Sequence, residues 1–141
     1  MHLKGLSNLQ RLLIGGNEIT DAGLVHLNGL ARLKSLGLTA TGITDEGLTH
    51  LKGMANLTAL SLASTPITDT GLVQLKDLTS LQTLILRDTQ VTDAGLVHLK
   101  GLTNRQSLYL SAFVSKVTDA GIAELQKALP NCHIRTSMLP K

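Results

Sequence analysis

The sequence predicts an α/β solenoid, a stack of short strand–turn–helix units, rather than one irregular globule. Three observations predict it. Aspartate recurs every 24 positions, at Asp21, Asp45, Asp69 and Asp93. Between these marks apolar residues first alternate and then recur every third position, patterns that suit a short strand and one face of a helix. Hydrophobic residues make up 43% of the 141, yet there is one Phe, one Tyr and no Trp. A core must therefore be built from Leu, Ile, Val and Ala, which suits many small, similar layers.

The strands come first in each unit. Leu9, Leu12, Ile14, Asn17 and Ile19 fit the template L-x-x-L-x-L-x-x-N-x-L. So do Leu33, Leu36, Leu38, Thr41 and Ile43, then Leu57, Leu60, Leu62, Thr65 and Ile67, then Leu81, Leu84, Leu86, Thr89 and Val91. Strands are expected to centre near Leu13, Gly37, Ser61, Ile85 and Tyr109, with a sixth near residues 132–134. Cys132 and Ile134 should face inward there. The Thr column replaces the Asn that bonds backbone between turns.

The helices follow. ITDAGL, ITDEGL, ITDTGL and VTDAGL mark their starts, and a fifth copy, VTDAGI, begins at Val117 after two inserted residues. Thr20 can cap the first helix with Asp21 in its first turn, opposite the positive end of the dipole; Asp21 is the competing cap. Gly5, Gly29, Gly53 and Gly101 share one column where a left-handed C-terminal residue is expected, with Asp77 in the fourth unit. Lys4, Lys52, Lys76 and Lys100 precede that column, where positive charge complements a helix end. Stacking then lets Leu12, Leu36, Leu60, Leu84 and Leu108 form one ridge.

This pattern resembles the leucine-rich repeat family over nearly the whole chain, most closely the bacterial 24-residue variety with a T-D-x-G-L helix start, as in planctomycete proteins. The resemblance implies a right-handed leucine-rich repeat solenoid with a parallel strand ladder on the concave face and short helices on the convex face. Residues 1–141 read as one domain of about five repeats, with 119–141 as its closing segment. The first repeat is truncated: the segment from His2 to Leu6 matches the segment from His26 to Leu30, so earlier repeats are expected to be missing. The uncapped N-terminal end, with Leu3, Leu6, Leu9 and Leu12 lacking a covering layer, is expected to favour end-to-end self-association. Arg105 stands in a Leu column, so Arg105→Leu is expected to stabilise.

Composition and motif spacing bear on chemistry as well. A net charge of +3, spread along the chain without aromatic platforms, argues against nucleic-acid binding. No run of apolar residues reaches a membrane span. One cysteine excludes an internal disulfide, and the N-terminus lacks a secretory signal, so the protein is cytoplasmic if Met1 is the natural start. His2, His26, His50 and His98 share a column, but on successive helices they are too far apart to hold a metal and should face solvent. The Asp column is assigned to capping, since one carboxylate per layer does not make a calcium site. Cys132 lacks a base, because adjacent His133 points the opposite way on a strand. No catalytic, metal or cofactor residues are assigned.

That leaves the outward strand residues, which do not hold the stack together. The central column reads Leu13, Gly37, Ser61, Ile85, Tyr109, flanked by Arg11, Ser35, Ala59, Thr83, Ser107 and by Gly15, Thr39, Ala63, Arg87, Ser111. Middle layers are nearly bare; the C-terminal layers carry Ile85, Arg87, Asp88, Gln90 and Tyr109, and Arg11 with Leu13 form a smaller cluster. Tyr and Arg are favoured in binding hot spots. The reading is a non-catalytic scaffold for a protein or peptide on the strand face. The alternatives are a sensing or targeting arm of a larger enzyme, such as a kinase, and a structural spacer.

Overall fold

A computed structural model describes residues 5–104, 107–111 and 116–137. Leu3, Arg105 and Phe113 lie outside the described residues. Six strands form one parallel sheet in chain order: β1 (Arg11–Leu13), β2 (Ser35–Gly37), β3 (Ala59–Ser61), β4 (Thr83–Leu86), β5 (Ser107–Ser111) and β6 (His133–Ser137). Register follows the repeat, aligning Leu12, Leu36, Leu60, Leu84, Leu108 and Ile134 across the sheet. Each of these points into the core, and the residues on either side point out, as a period of two requires. The expected ladder, including its sixth strand, is present.

The return segments are tighter than ordinary α-helices. One α-turn, α1 (Asp21–Leu24), α2 (Asp69–Leu72) or α3 (Asp93–Leu96), runs on into a 3₁₀ turn at Val25–Leu27, Val73–Asp77 or Val97–Leu99. The second layer is 3₁₀ alone, Gly47–Leu51. Sequence spacing explains this. Leu24, Leu27 and Leu30 are three apart, and only a helix of 3.0 residues per turn sets them one above another. In α4 (Asp119–Ala128) the spacing at Ile122, Leu125 and Leu129 becomes three and then four, and the helix stays α for 10 residues.

Two expectations about the turns need correction. In the column Gly5, Gly29, Gly53 and Gly101, Gly5 takes the expected left-handed conformation (φ 97°) but Gly29, Gly53 and Gly101 do not; the other positive-φ glycine among the described residues is Gly16. The chain leaves each helix through successive three-residue turns, such as Leu30 N–H to Leu27 O (2.9 Å) and Leu33 N–H to Leu30 O (3.1 Å). No reversal is required there, so Asp77 fits the same column. A left-handed residue sits instead after each of β1 to β4, at Gly16 and then Ala40, Ser64 and Asp88, whose φ values are 57°, 57° and 56°. The Thr column also acts within its own turn: Thr41, Thr65 and Thr89 donate their hydroxyls to Leu38, Leu62 and Leu86 carbonyls at 2.8, 2.6 and 2.8 Å. All three are buried, so each hydroxyl needs that acceptor.

Leucines of all layers merge into one continuous core. Full burial of each is worth roughly 1.5–3 kcal/mol before the entropy of ordering is subtracted. The N-terminal layer is the exception: Leu9, Leu12, Ile14 and Ile19 are only partly buried, and Leu6 is 46% exposed. No helix among the described residues is long and apolar enough to cross a membrane.

Candidate binding face and the joints between layers

Asp21, Asp45, Asp69 and Asp93 do not cap their own helices as assigned; of the two caps the sequence left open, threonine takes the role in three layers. Each reaches the following layer. Asp21 accepts the Thr44 backbone N–H (2.7 Å) and hydroxyl (2.6 Å). Asp45 does the same for Thr68 (2.8 and 2.5 Å), Asp69 for Thr92 (2.6 and 2.5 Å) and Asp93 for Thr118 (2.8 and 2.5 Å). Three of those threonines are the actual caps: Thr68 accepts from Thr70 N–H, Thr92 from Ala94 N–H and Thr118 from Gly121 N–H. The glycine of the motif makes room for the visiting carboxylate. A Cβ on Gly47, Gly71, Gly95 or Gly121 would collide with Asp21, Asp45, Asp69 or Asp93 respectively. Gly23, with no preceding carboxylate, has open space where its Cβ would be. T-D-x-G is thus one joint split across two layers, and each carboxylate is already engaged. Among the described residues no three potential metal ligands converge. His26 and His98 face solvent, and His50 is half-buried.

Outward strand residues form the other notable surface. Ile85 and Tyr109 are lateral neighbours in register, and β6 sets Arg135 on the far side of Tyr109. The Arg87 guanidinium lies over the Tyr109 ring, 5.1 Å from its centroid, in cation–π contact. Arg87 and Arg135 are exposed, Ile85 and Tyr109 half-buried. Asp88 is drawn into the turn: it occupies the left-handed position and its carboxylate accepts the Ser111 hydroxyl at 3.1 Å. Gln90 lies beyond that turn, bridged to Thr68, and is outside the strand ladder. Arg11 and Leu13 sit on β1, four inter-strand steps from Tyr109, or about 19 Å at the usual strand spacing. Leu13, 72% exposed, leans over Gly37, whose missing Cβ leaves it room. The sequence therefore names two clusters, and the structure keeps them apart.

Sequence reasoning turned His133 away from Cys132 but did not carry the sixth strand into the binding face, and so left Arg135 out. A signal was available: Leu129, Cys132 and Ile134 repeat the L-x-x-L-x-L spacing, which turns His133 and Arg135 outward. Cys132 is buried at 5% exposure, and Gln126 Nε2 ties the preceding turn by donating to the Leu129 and Cys132 carbonyls at 2.9 and 3.0 Å.

Residues 5–27, 53–76 and 77–99 match the family described as Leucine Rich repeat, and the sheet of six parallel strands with short helices has the architecture of its solved members. The chain belongs to the leucine-rich repeat family. Internalin C2 from Listeria monocytogenes is similar at 27% identity and TM-score 0.73, covering 94% of this chain and 54% of that one. Internalin F from the same organism aligns at 21% identity and TM-score 0.55, covering 96% and 49%. A leucine-rich repeat protein from Leptospira interrogans aligns at 21% and 0.65, covering 92% and 38%. This leucine-rich repeat chain spans about half or less of each neighbour's length. No curated protein matches it by sequence. Leucine-rich repeats serve in general as scaffolds for protein–protein interaction.

Proposed function

We propose that this chain binds a protein or peptide on the strand face, the expected concave side, with the contact centred on Ile85, Arg87 and Tyr109. One observation carries the reading: Tyr109 stands between Ile85 and Arg135 with Arg87 across its ring. An amphipathic aromatic held by neighbours gives contact area at little entropic cost, which is what a binding anchor needs. Asp88 and Gln90 border this anchor from the turn, and Arg11 with Leu13 supply a second, separate contact for a long partner. The middle layers between them offer small side chains at Ser35, Gly37, Ala59, Ser61 and Ala63. No catalytic residue or cofactor is assigned. The test is capture of partners from a lysate of the source cells by the parent, Tyr109→Ala, Arg87→Ala and Lys52→Ala. Tyr109→Ala and Arg87→Ala should each weaken capture, and Lys52→Ala on the helix side should not. Unchanged capture by both strand-face variants, with loss in Lys52→Ala, would place the contact on the helix side. Absence of any specific capture by the parent would favour the spacer reading.

A further inference from the structure

We infer that the segment received at this face is acidic: an extended peptide or loop carrying Asp or Glu beside an aromatic or branched aliphatic residue. The inference rests on the strand-face reading above and adds the partner's chemistry. The three outward columns contain Arg11, Arg87 and Arg135 and no carboxylate. That bias is not inherited from the bulk composition, which is 13 basic to 10 acidic residues. Half of the acidic residues, Asp21, Asp45, Asp69, Asp93 and Asp119, occupy the joint column on the helix side. The nearest carboxylate to the patch, Asp88, is held by Ser111.

Among the described residues neither Arg87 nor Arg135 is paired with a carboxylate. Both guanidiniums keep forked donors for bidentate carboxylate recognition, the geometry in which Arg excels. The cation–π contact of Arg87 with Tyr109 restrains one fork before any partner arrives. Ile85 and the uncovered parts of Tyr109 then accept an apolar side chain from the same segment. Beside them, the small residues of β2 and β3 let an extended backbone approach the sheet, and hydroxyls of Ser35, Ser61, Thr83 and Ser107 line its course. A single-stranded nucleic acid is less well served. It wants successive aromatic platforms and a continuous basic track, whereas this face has one Tyr, and Arg11 stands four strands away.

The test is titration of the isotopically labelled full chain with four probes, followed through backbone amide shifts. The probes are a pentapeptide of four Glu around a central Phe, its Gln and Lys counterparts, and a short uridine oligonucleotide. The acidic peptide should shift amides of β4, β5 and β6. The double variant Arg87→Gln/Arg135→Gln should bind it about tenfold more weakly, at an unchanged unfolding midpoint, while Lys52→Gln should bind as the parent. Binding should weaken as salt rises. If the Gln or Lys peptide shifts the same amides equally well, or the oligonucleotide binds there more tightly, the acidic preference is wrong and the strand-face reading survives. If the acidic peptide shifts only helix-side amides, both fail. If no probe shifts any amide up to its solubility limit, the acidic preference is overturned.

Discussion

Gly23 has nothing over it and Gly71 is pressed by the Asp45 carboxylate, though both occupy the same motif column. They make opposite predictions. Gly23→Ala should raise stability by up to about 1 kcal/mol, because Ala loses less backbone freedom in a helix. Gly71→Ala should cost about 1–3 kcal/mol through overpacking. Most of that cost should vanish in an Asp45→Ala background, since the colliding group is gone; urea unfolding of the four members of that double-mutant cycle measures the coupling. Additive effects would show that the crowding arises from the layer's backbone instead. A second residue-scale expectation concerns the turn after each strand. Ala40 and Ser64 hold left-handed conformations that cost roughly 1–2 kcal/mol for an L-residue. Replacing Ser64 by Gly should therefore stabilise by about 0.5–1 kcal/mol after the glycine's own entropy is subtracted. A lower unfolding midpoint for Ser64→Gly would mean that the serine side chain makes a compensating contact.

Strands show position in the stack through burial. Leu60 is 1% exposed between two neighbouring layers, whereas its counterpart Leu12, on the first strand, is half-buried. Leu60→Ala should cost about 2–5 kcal/mol as a core truncation, and Leu12→Ala clearly less. Equal losses in thermal or urea unfolding would mean that the N-terminal layer is covered in solution. Strand order, register and inward leucines were legible in the sequence because a period of two and a fixed unit length leave no other parallel alignment. Helix type was legible in principle from the spacing of three, yet α and 3₁₀ turns share the same cue until their lengths are known. The role of Asp21 and its relatives was not legible. Its partner Thr44 is 23 residues away, and a carboxylate at a helix start looks alike whether it serves its own turn or the next layer. At the strand face, Ile85 beside Tyr109 followed from register, but the sixth strand was expected near 132–134, whereas β6 runs on from His133 to Ser137 and so sets Arg135 opposite Tyr109.

At the scale of the molecule, β1 pairs on one side only among the described residues, and Leu6 and Leu13 are exposed beside it. A cavity of about 310 Å³ opens at the same end, lined by Ile14, Ile19, Leu24 and Leu27 among others. We propose that the 141-residue chain by itself associates end to end through this edge, in which case sedimentation velocity should show the mean sedimentation coefficient rising with concentration. A constant monomer value would count against it. Removing a whole unit should be tolerated. Deleting residues 45–68 joins Thr44 to Asp69, restoring an intact T-D pair and bringing Asp21 opposite Gly71. The shortened chain should unfold cooperatively at a lower midpoint, since stability in a solenoid is close to a sum over layers. Deleting 45–56 instead should abolish cooperative unfolding, because it leaves half a layer.

The joint also has a polarity with genetic meaning. Each layer from Asp21 to Asp93 extends a carboxylate to its successor, which offers an N–H, a hydroxyl and a glycine gap in return, so these copies fit one after another in any order. A duplication or loss of one unit needs no accompanying substitution anywhere in the protein. The number of layers is thereby free to change by recombination while Ile85, Arg87 and Tyr109 stay untouched, and the reach of the scaffold can be altered separately from what it grips.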